Sequence, residues 1–187
     1  MRRLVYYVAA SIDGFIADES GETSVFPVDP RTLADLFERY PETCPAHLCE
    51  ALGVTGPPRR FGAVLMGYRT HAPALEVGLT SAYPHLRQVV ATHRSIPADP
   101  TVEVVSGELG SYVARLKQES GGDIWLCGGG ELAGQLVDEI DELQIKVNPV
   151  TLHSGVPLFA GGVPRRWDLV SVEAIPGDVA LVTYRAR

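Results

Sequence analysis

The chain has 187 residues, 45% hydrophobic and 21% charged, which fits one globular domain able to build a core without disulfide staples. A net charge of −7 argues against nucleic acid as the main partner, because a phosphate backbone needs a basic face. No stretch approaches the roughly 18 unbroken apolar residues of a membrane-spanning helix, and Asp13 interrupts the apolar start MRRLVYYVAASIDG too early for a signal peptide. A single domain over residues 1–187, located in the cytoplasm, is therefore expected.

Leu4 to Ser11, apolar and aromatic, reads as a buried strand. A loop from Ile12 to Pro27 follows, with Gly14 and Gly21 as turn residues. Pro30 to Tyr40 reads as a helix: Asp29 suits the N-cap, Pro30 the first helical position, and Leu33, Leu36 and Phe37 form one apolar face. Pro41 to Arg60, rich in Pro and Gly, is an irregular excursion with room for a short helical turn. Within it, CPAHLC brings Cys44, His47 and Cys49 together. Zinc takes four ligands and no second pair follows at a usual spacing, so no metal is expected. An odd count of three cysteines does not suggest a disulfide framework.

Gly62 to Gly67, Arg87 to His93 and Thr101 to Ser106 read as short continuous apolar strands of a sheet covered on both faces. Gly110 to Glu119 is an amphipathic helix, Ile124 to Cys127 a strand with Cys127 buried, Glu131 to Glu139 a helix and Glu142 to Val150 a strand. RWDLVSVEAIPGDVALVTYRAR is two alternating strands around PGD, a hairpin signal. Alternation of this kind predicts an α/β fold: a mainly parallel sheet between helices, with a C-terminal antiparallel hairpin at one edge.

Three strand-to-helix or strand-to-loop junctions carry ligand chemistry. Gly128, Gly129 and Gly130 stand where a strand hands over to a helix. They serve either a tight turn or the approach of phosphate to backbone N–H groups. Gly128-x-Gly130-x-x-Ala133 matches the dinucleotide fingerprint in form, but the next strand ends in Asn148 and Pro149 without the acid that holds a ribose, which argues against a standard Rossmann domain. Gly67 precedes Tyr68, Arg69 and Thr70 at a helix start, and Thr92, His93, Arg94 and Ser95 follow another buried strand. All three lie at carboxyl ends of strands, where open α/β sheets bind ligands.

AASIDGFIAD, VLMGYRT, VVATHRS, IWLCGGGELAGQLV and DELQIKVNPVTLHSGVPLF occur in an order and spacing that resemble the dihydrofolate-reductase-like superfamily. The nearest branch contains the reductase domain of riboflavin biosynthesis and its small standalone relatives. The resemblance implies a three-layer domain with helices on both faces of the sheet, NADPH as cofactor and hydride transfer to a small heterocycle of pterin or ribosylaminopyrimidine type. It implies that Gly67, Tyr68, Arg69 and Thr70 sit beside the cofactor phosphates and that Thr92, His93 and Arg94 face the 2′-phosphate. It further implies that Gly128, Gly129, Gly130, Glu131 and Leu132 hold the pyrophosphate, with the first two glycines joined by a cis peptide, and that Ala10 and Ile16 flank the nicotinamide. Many relatives carry arginine where this chain has Tyr68, and Arg69 is the available substitute. A carboxylate on the first helix holds the pterin in dihydrofolate reductases. The nearest one here is Asp29, equally well explained as an N-cap. Asp13 reads as a turn residue. A homodimer is expected, because this branch commonly pairs and the terminal strands offer an apolar edge. The alternative from another class is a non-catalytic NADP-binding or sensor module.

Overall fold

In the computed structural model, which describes residues 1–187, the apolar run Leu4–Ser11 forms β1 near the middle of an eight-stranded sheet. The chain continues through β2 (Phe15–Ala17), α1 (Pro30–Arg39), a 3-10 turn (Pro41–Thr43), α2 (Ala46–Cys49), β3 (Phe61–Gly67), α3 (Tyr68–Glu76) and β4 (Arg87–Ala91). β5 (Val102–Val105), α4 (Leu109–Gln118), β6 (Asp123–Gly128), α5 (Gly130–Gln135) and β7 (Glu142–Asn148) follow, then β8 (Val156–Pro157), β9 (Trp167–Ile175) and β10 (Val179–Ala186). The strand order is β5-β4-β3-β6-β1-β7-β10-β9. Within this sheet only the two ladders made by β10 are antiparallel.

This order fixes the layers. The steps β1 to β3 and β3 to β4 run one way across the sheet, and β5 to β6 and β6 to β7 run back. Right-handed crossovers then put α1 and α3 on one face and α4 and α5 on the other. The two cores agree. Leu4, Tyr6, Ala63, Leu65 and Leu126 pack with Val113 and Leu116 of α4 and Leu132, Ala133 and Leu136 at α5. Val5, Tyr7, Val64, Met66 and Trp125 pack with Leu36 of α1. The middle of the sheet is thus covered on both faces, as the continuous apolar strands predict, whereas the edge strand β5, expected to be covered too, leaves Glu103 and Val104 exposed.

Three details differ from the sequence-based expectation. β2 and β8, of three and two residues, pair in a small separate sheet. They are too short to show a period. The helix expected over Glu131 to Glu139 closes after six residues at Gln135. Gly134 lies within it, and a Cβ there would overlap the Ala160 carbonyl oxygen, so close backbone approach decides this segment. The excursion after Tyr40 is anchored by Glu42. That side chain is 2% exposed, and its carboxylate accepts from the backbone N–H groups of Phe61 (2.7 Å), Arg60 (2.8 Å) and Arg59 (3.0 Å).

Candidate active site

The parallel strands end along one edge of the sheet, and the registers Gly67↔Ala91, Met66↔Gly128 and Ser11↔Asn148 line up their carboxyl ends. The residues singled out in the sequence meet there. A Cβ on Gly128 would lie 3.9 Å from Thr70 Oγ1, and one on Gly67 would lie 3.8 Å from the Gly128 carbonyl oxygen, so the start of α3 adjoins the glycine turn. A Cβ on Gly129 would lie 3.8 Å from Ile16 Cδ1. The Gly128–Gly129 peptide is cis, and Gly128 has φ +134°, a conformation side chains disfavour. Ala133 N–H is the donor to the Gly129 carbonyl at 3.0 Å, which leaves the N–H groups of Gly130, Glu131 and Leu132 without partners inside α5.

The basic residues gather around the same mouth. The Arg94 guanidinium stacks over the Tyr68 ring, 4.6 Å from its centroid, and Arg94 N–H donates to Thr92 Oγ1 at 2.9 Å. Arg69 pairs with Glu131 at 3.7 Å, both side chains being more than 70% exposed, which links the starts of α3 and α5. His93 is exposed next to Arg94. Ala10 and Leu132 are 1% and 6% exposed with side chains in the core, so only their main chain faces the edge.

The structure separates the reasons for the glycines. A Cβ on Gly130 would overlap the carbonyl oxygen of Pro157, so this glycine is required by its contact with β8 whether or not a ligand binds. At Gly129 the same addition meets only ordinary van der Waals contact.

Asp29 takes the N-cap role. Its Oδ1 accepts from Arg31 N–H at 2.8 Å, and its Oδ2 pairs with the Arg31 guanidinium at 2.7 Å. The hydrogen bonds from Arg31 hold its carboxyl below the usual carboxylate range. A carboxylate so engaged stays ionised and has no proton to give. Asp13 ties the turn after β1 to the segment after β7, accepting from His153 N–H at 2.7 Å and Leu152 N–H at 3.1 Å. The Ser11 hydroxyl and these backbone donors pull it down to about 2.

Sequence reasoning missed two groups on the α1 side of this edge, Tyr7 and Lys146. Lys146 Nζ lies 3.8 Å from the centroid of the Tyr7 ring. In QIKVN a lysine inside an alternating strand reads as a solvated face, and only the position of β7 between β1 and β10 turns it inward.

Sheet order and terminal hairpin define a domain of the dihydrofolate-reductase fold. The chain resembles Enterococcus faecalis dihydrofolate reductase, solved with NADP(H) and RAB-propyl, with a TM-score of 0.66 and 15% identity over 99% of this chain and 96% of that one. It also resembles the diaminohydroxyphosphoribosylaminopyrimidine deaminase/5-amino-6-(5-phosphoribosylamino)uracil reductase of Thermotoga maritima, with a TM-score of 0.68 and 17% identity over all of this chain and 57% of that one. More narrowly, the chain belongs to the RibD C-terminal domain family, whose model matches residues 2–181. The uncharacterized protein YwjB of Bacillus subtilis (strain 168) is 31% identical over 163 residues, 84% of this chain and 83% of that one.

Proposed function

We propose that the protein is an NADPH-dependent reductase that transfers a hydride to a small heterocycle of pterin or ribosylaminopyrimidine type. The observation that carries this reading is the convergence of three glycine- and arginine-bearing strand ends on one cleft in a reductase-like fold. The residues fit the cofactor. The bare backbone at Gly67, Gly128 and Gly129 leaves room for phosphate oxygens beside unused N–H groups, and Thr70 adjoins them. Arg94, with Thr92 and His93 beside it, suits a 2′-phosphate, since a guanidinium donates two parallel hydrogen bonds. Ile16 and the main chain of Ala10 border the place for the nicotinamide. NADPH, when bound, supplies the hydride. The chain supplies orientation and a dry pocket.

NADPH is expected to bind at least tenfold more tightly than NADH, about 1.4 kcal/mol, and Arg94→Ala to remove most of that preference. Calorimetric titration of both proteins with both cofactors decides it, and equal affinities in the wild type exclude the role of Arg94. Oxidation of NADPH in a screen of pterins and pyrimidines tests the enzyme reading, since a sensor module binds NADPH and leaves it reduced.

A cytoplasmic homodimer completes the proposal. β9 is an edge strand, and Leu169, Val170 and Val172 on it are 60%, 49% and 60% exposed. Exposed apolar edges invite pairing, and a second copy covers them. Light scattering at tens of micromolar is expected to give twice the 20.2 kDa chain mass. Replacing Val170 and Val172 by lysine is expected to give the monomer, and a wild type that is already monomeric overturns the assignment.

A further inference from the structure

Of the 16 lysines and arginines only two are lysines, Lys117 and Lys146. Lys117 is satisfied: its Nζ donates to the Glu139 carbonyl at 3.0 Å and to Asp141 Oδ1 at 2.9 Å. Lys146 is not. It stands on β7 between Ala9 of β1 and Leu181 of β10, partly buried, with no carboxylate at ion-pairing distance and no hydrogen-bond acceptor for its ammonium.

The groups around it are few. From β1 the Tyr7 ring faces it, and from β6 the thiol of Cys127, which burial keeps neutral with a pKa pushed up to about 12. On the α1 side Asp35 and Arg39 pair with each other at 2.7 Å, and with Tyr40 and Glu42 they act on the Tyr7 hydroxyl. β10 offers Leu181 and no charge. The Tyr7 hydroxyl, in a residue 2% exposed, also has no hydrogen-bond partner. In the free protein the ammonium has only the face of the Tyr7 ring and no acceptor, and the buried Tyr7 hydroxyl has no partner at all. Lys146 faces the Cys127 thiol, and Cys127 immediately precedes Gly128 of the glycine turn.

We propose that Lys146 meets the substrate, its ammonium hydrogen-bonding the ring nitrogen or oxygen next to the carbon that receives the hydride and giving that atom its proton. The assignment rests on the NADPH-reductase reading of the cleft. In the step the carbon of a C=N or C=O bond gains hydride as the double bond's electron pair moves to nitrogen or oxygen. That atom takes a proton from Nζ, NADP+ remains, and the neutral amine regains a proton from water. Burial lowers Lys146 from the ordinary lysine value to about 8, so it holds a proton at neutral pH and gives it up readily.

The test uses the full chain loaded with NADP+ and 5,6-diaminouracil as the probe. Reductive methylation with 13C-formaldehyde labels two lysines and the N-terminus, and Lys117→Arg and Lys146→Arg assign the signals. The Lys146 signal is expected to titrate near pH 8 and to move when the probe is added, while that of Lys117 stays. Lys146→Met is expected to melt a few degrees higher at pH 7, to bind NADPH within twofold of wild type and to bind the probe at least tenfold more weakly. Wild-type probe affinity should fall as pH rises through 8, and that of Lys146→Met should not. Probe binding equal in both proteins, no probe binding to the loaded wild type, or an unmoved Lys146 signal overturns the proposal. Failure of NADPH itself to bind wild type overturns the cofactor reading instead.

Discussion

Gly129→Ala is expected to fold and to lose at least tenfold in NADPH affinity, whereas Gly130→Ala is expected to lose roughly 3 kcal/mol of stability before any ligand is considered. At Gly130 a Cβ would overlap the main-chain oxygen of Pro157, and main chain cannot rotate aside as a flexible side chain does. Overpacking of this kind costs about 1–3 kcal/mol and more against backbone. For a chain of this size that lowers the melting temperature by roughly 10 °C. Gly129 has extended backbone angles open to alanine, φ −97° and ψ −167°, and a Cβ there would meet Ile16 Cδ1 at 3.8 Å. Its methyl group would instead occupy the approach to the free N–H groups. Thermal melts with and without NADPH separate the two effects, because a ligand that binds the folded state raises its melting temperature by mass action. A Gly129→Ala protein that NADPH stabilises as it does wild type would leave the triple glycine a packing device alone.

Glu42→Ala should be the most damaging substitution outside the cleft, at roughly 3–5 kcal/mol. The carboxylate gathers three consecutive backbone donors at the entry to β3, and in its absence the buried Phe61 N–H and the half-buried Arg60 N–H lose their partner, while water can reach the exposed Arg59. Each unsatisfied buried donor costs about 1–3 kcal/mol. Glu42→Gln should cost less, because its amide keeps one acceptor. Urea titration of both variants checks the order. Equal losses would mean that the charge, and not the hydrogen-bond count, holds the excursion.

What the sequence conveys follows its physics. β1, β3, β4 and β6 are continuous apolar runs because helices cover both faces of the sheet, and such runs stand out in composition alone. The cluster of glycines and arginines at the strand ends is legible because those residues stand close together in sequence, directly after apolar strands. The contact between Tyr7 and Lys146 is hidden. Tyr7 and Lys146 are 139 positions apart and meet only because β7 returns to lie beside β1. Asp29 misleads for the opposite reason: a carboxylate before Pro30 suits a cap and a ligand contact alike, and only its bonds to Arg31 decide between them. Gly130 looks like a ligand glycine, but the carbonyl it accommodates belongs to residue 157.

The position of β1 also governs how the chain can emerge from the ribosome. Its two neighbours are β6 and β7, so Leu4 waits for Ile124 and Ser11 for Asn148 before either has a partner. Until then β3, β4 and β5 can pair among themselves, while β1, buried along almost its whole length in the finished fold, remains without a partner. Long-range parallel pairing of this kind folds slowly, and its exposed strands are prone to aggregate. Nascent chains halted near residue 120 should therefore depend on a holding chaperone, and release past residue 148 should end that dependence.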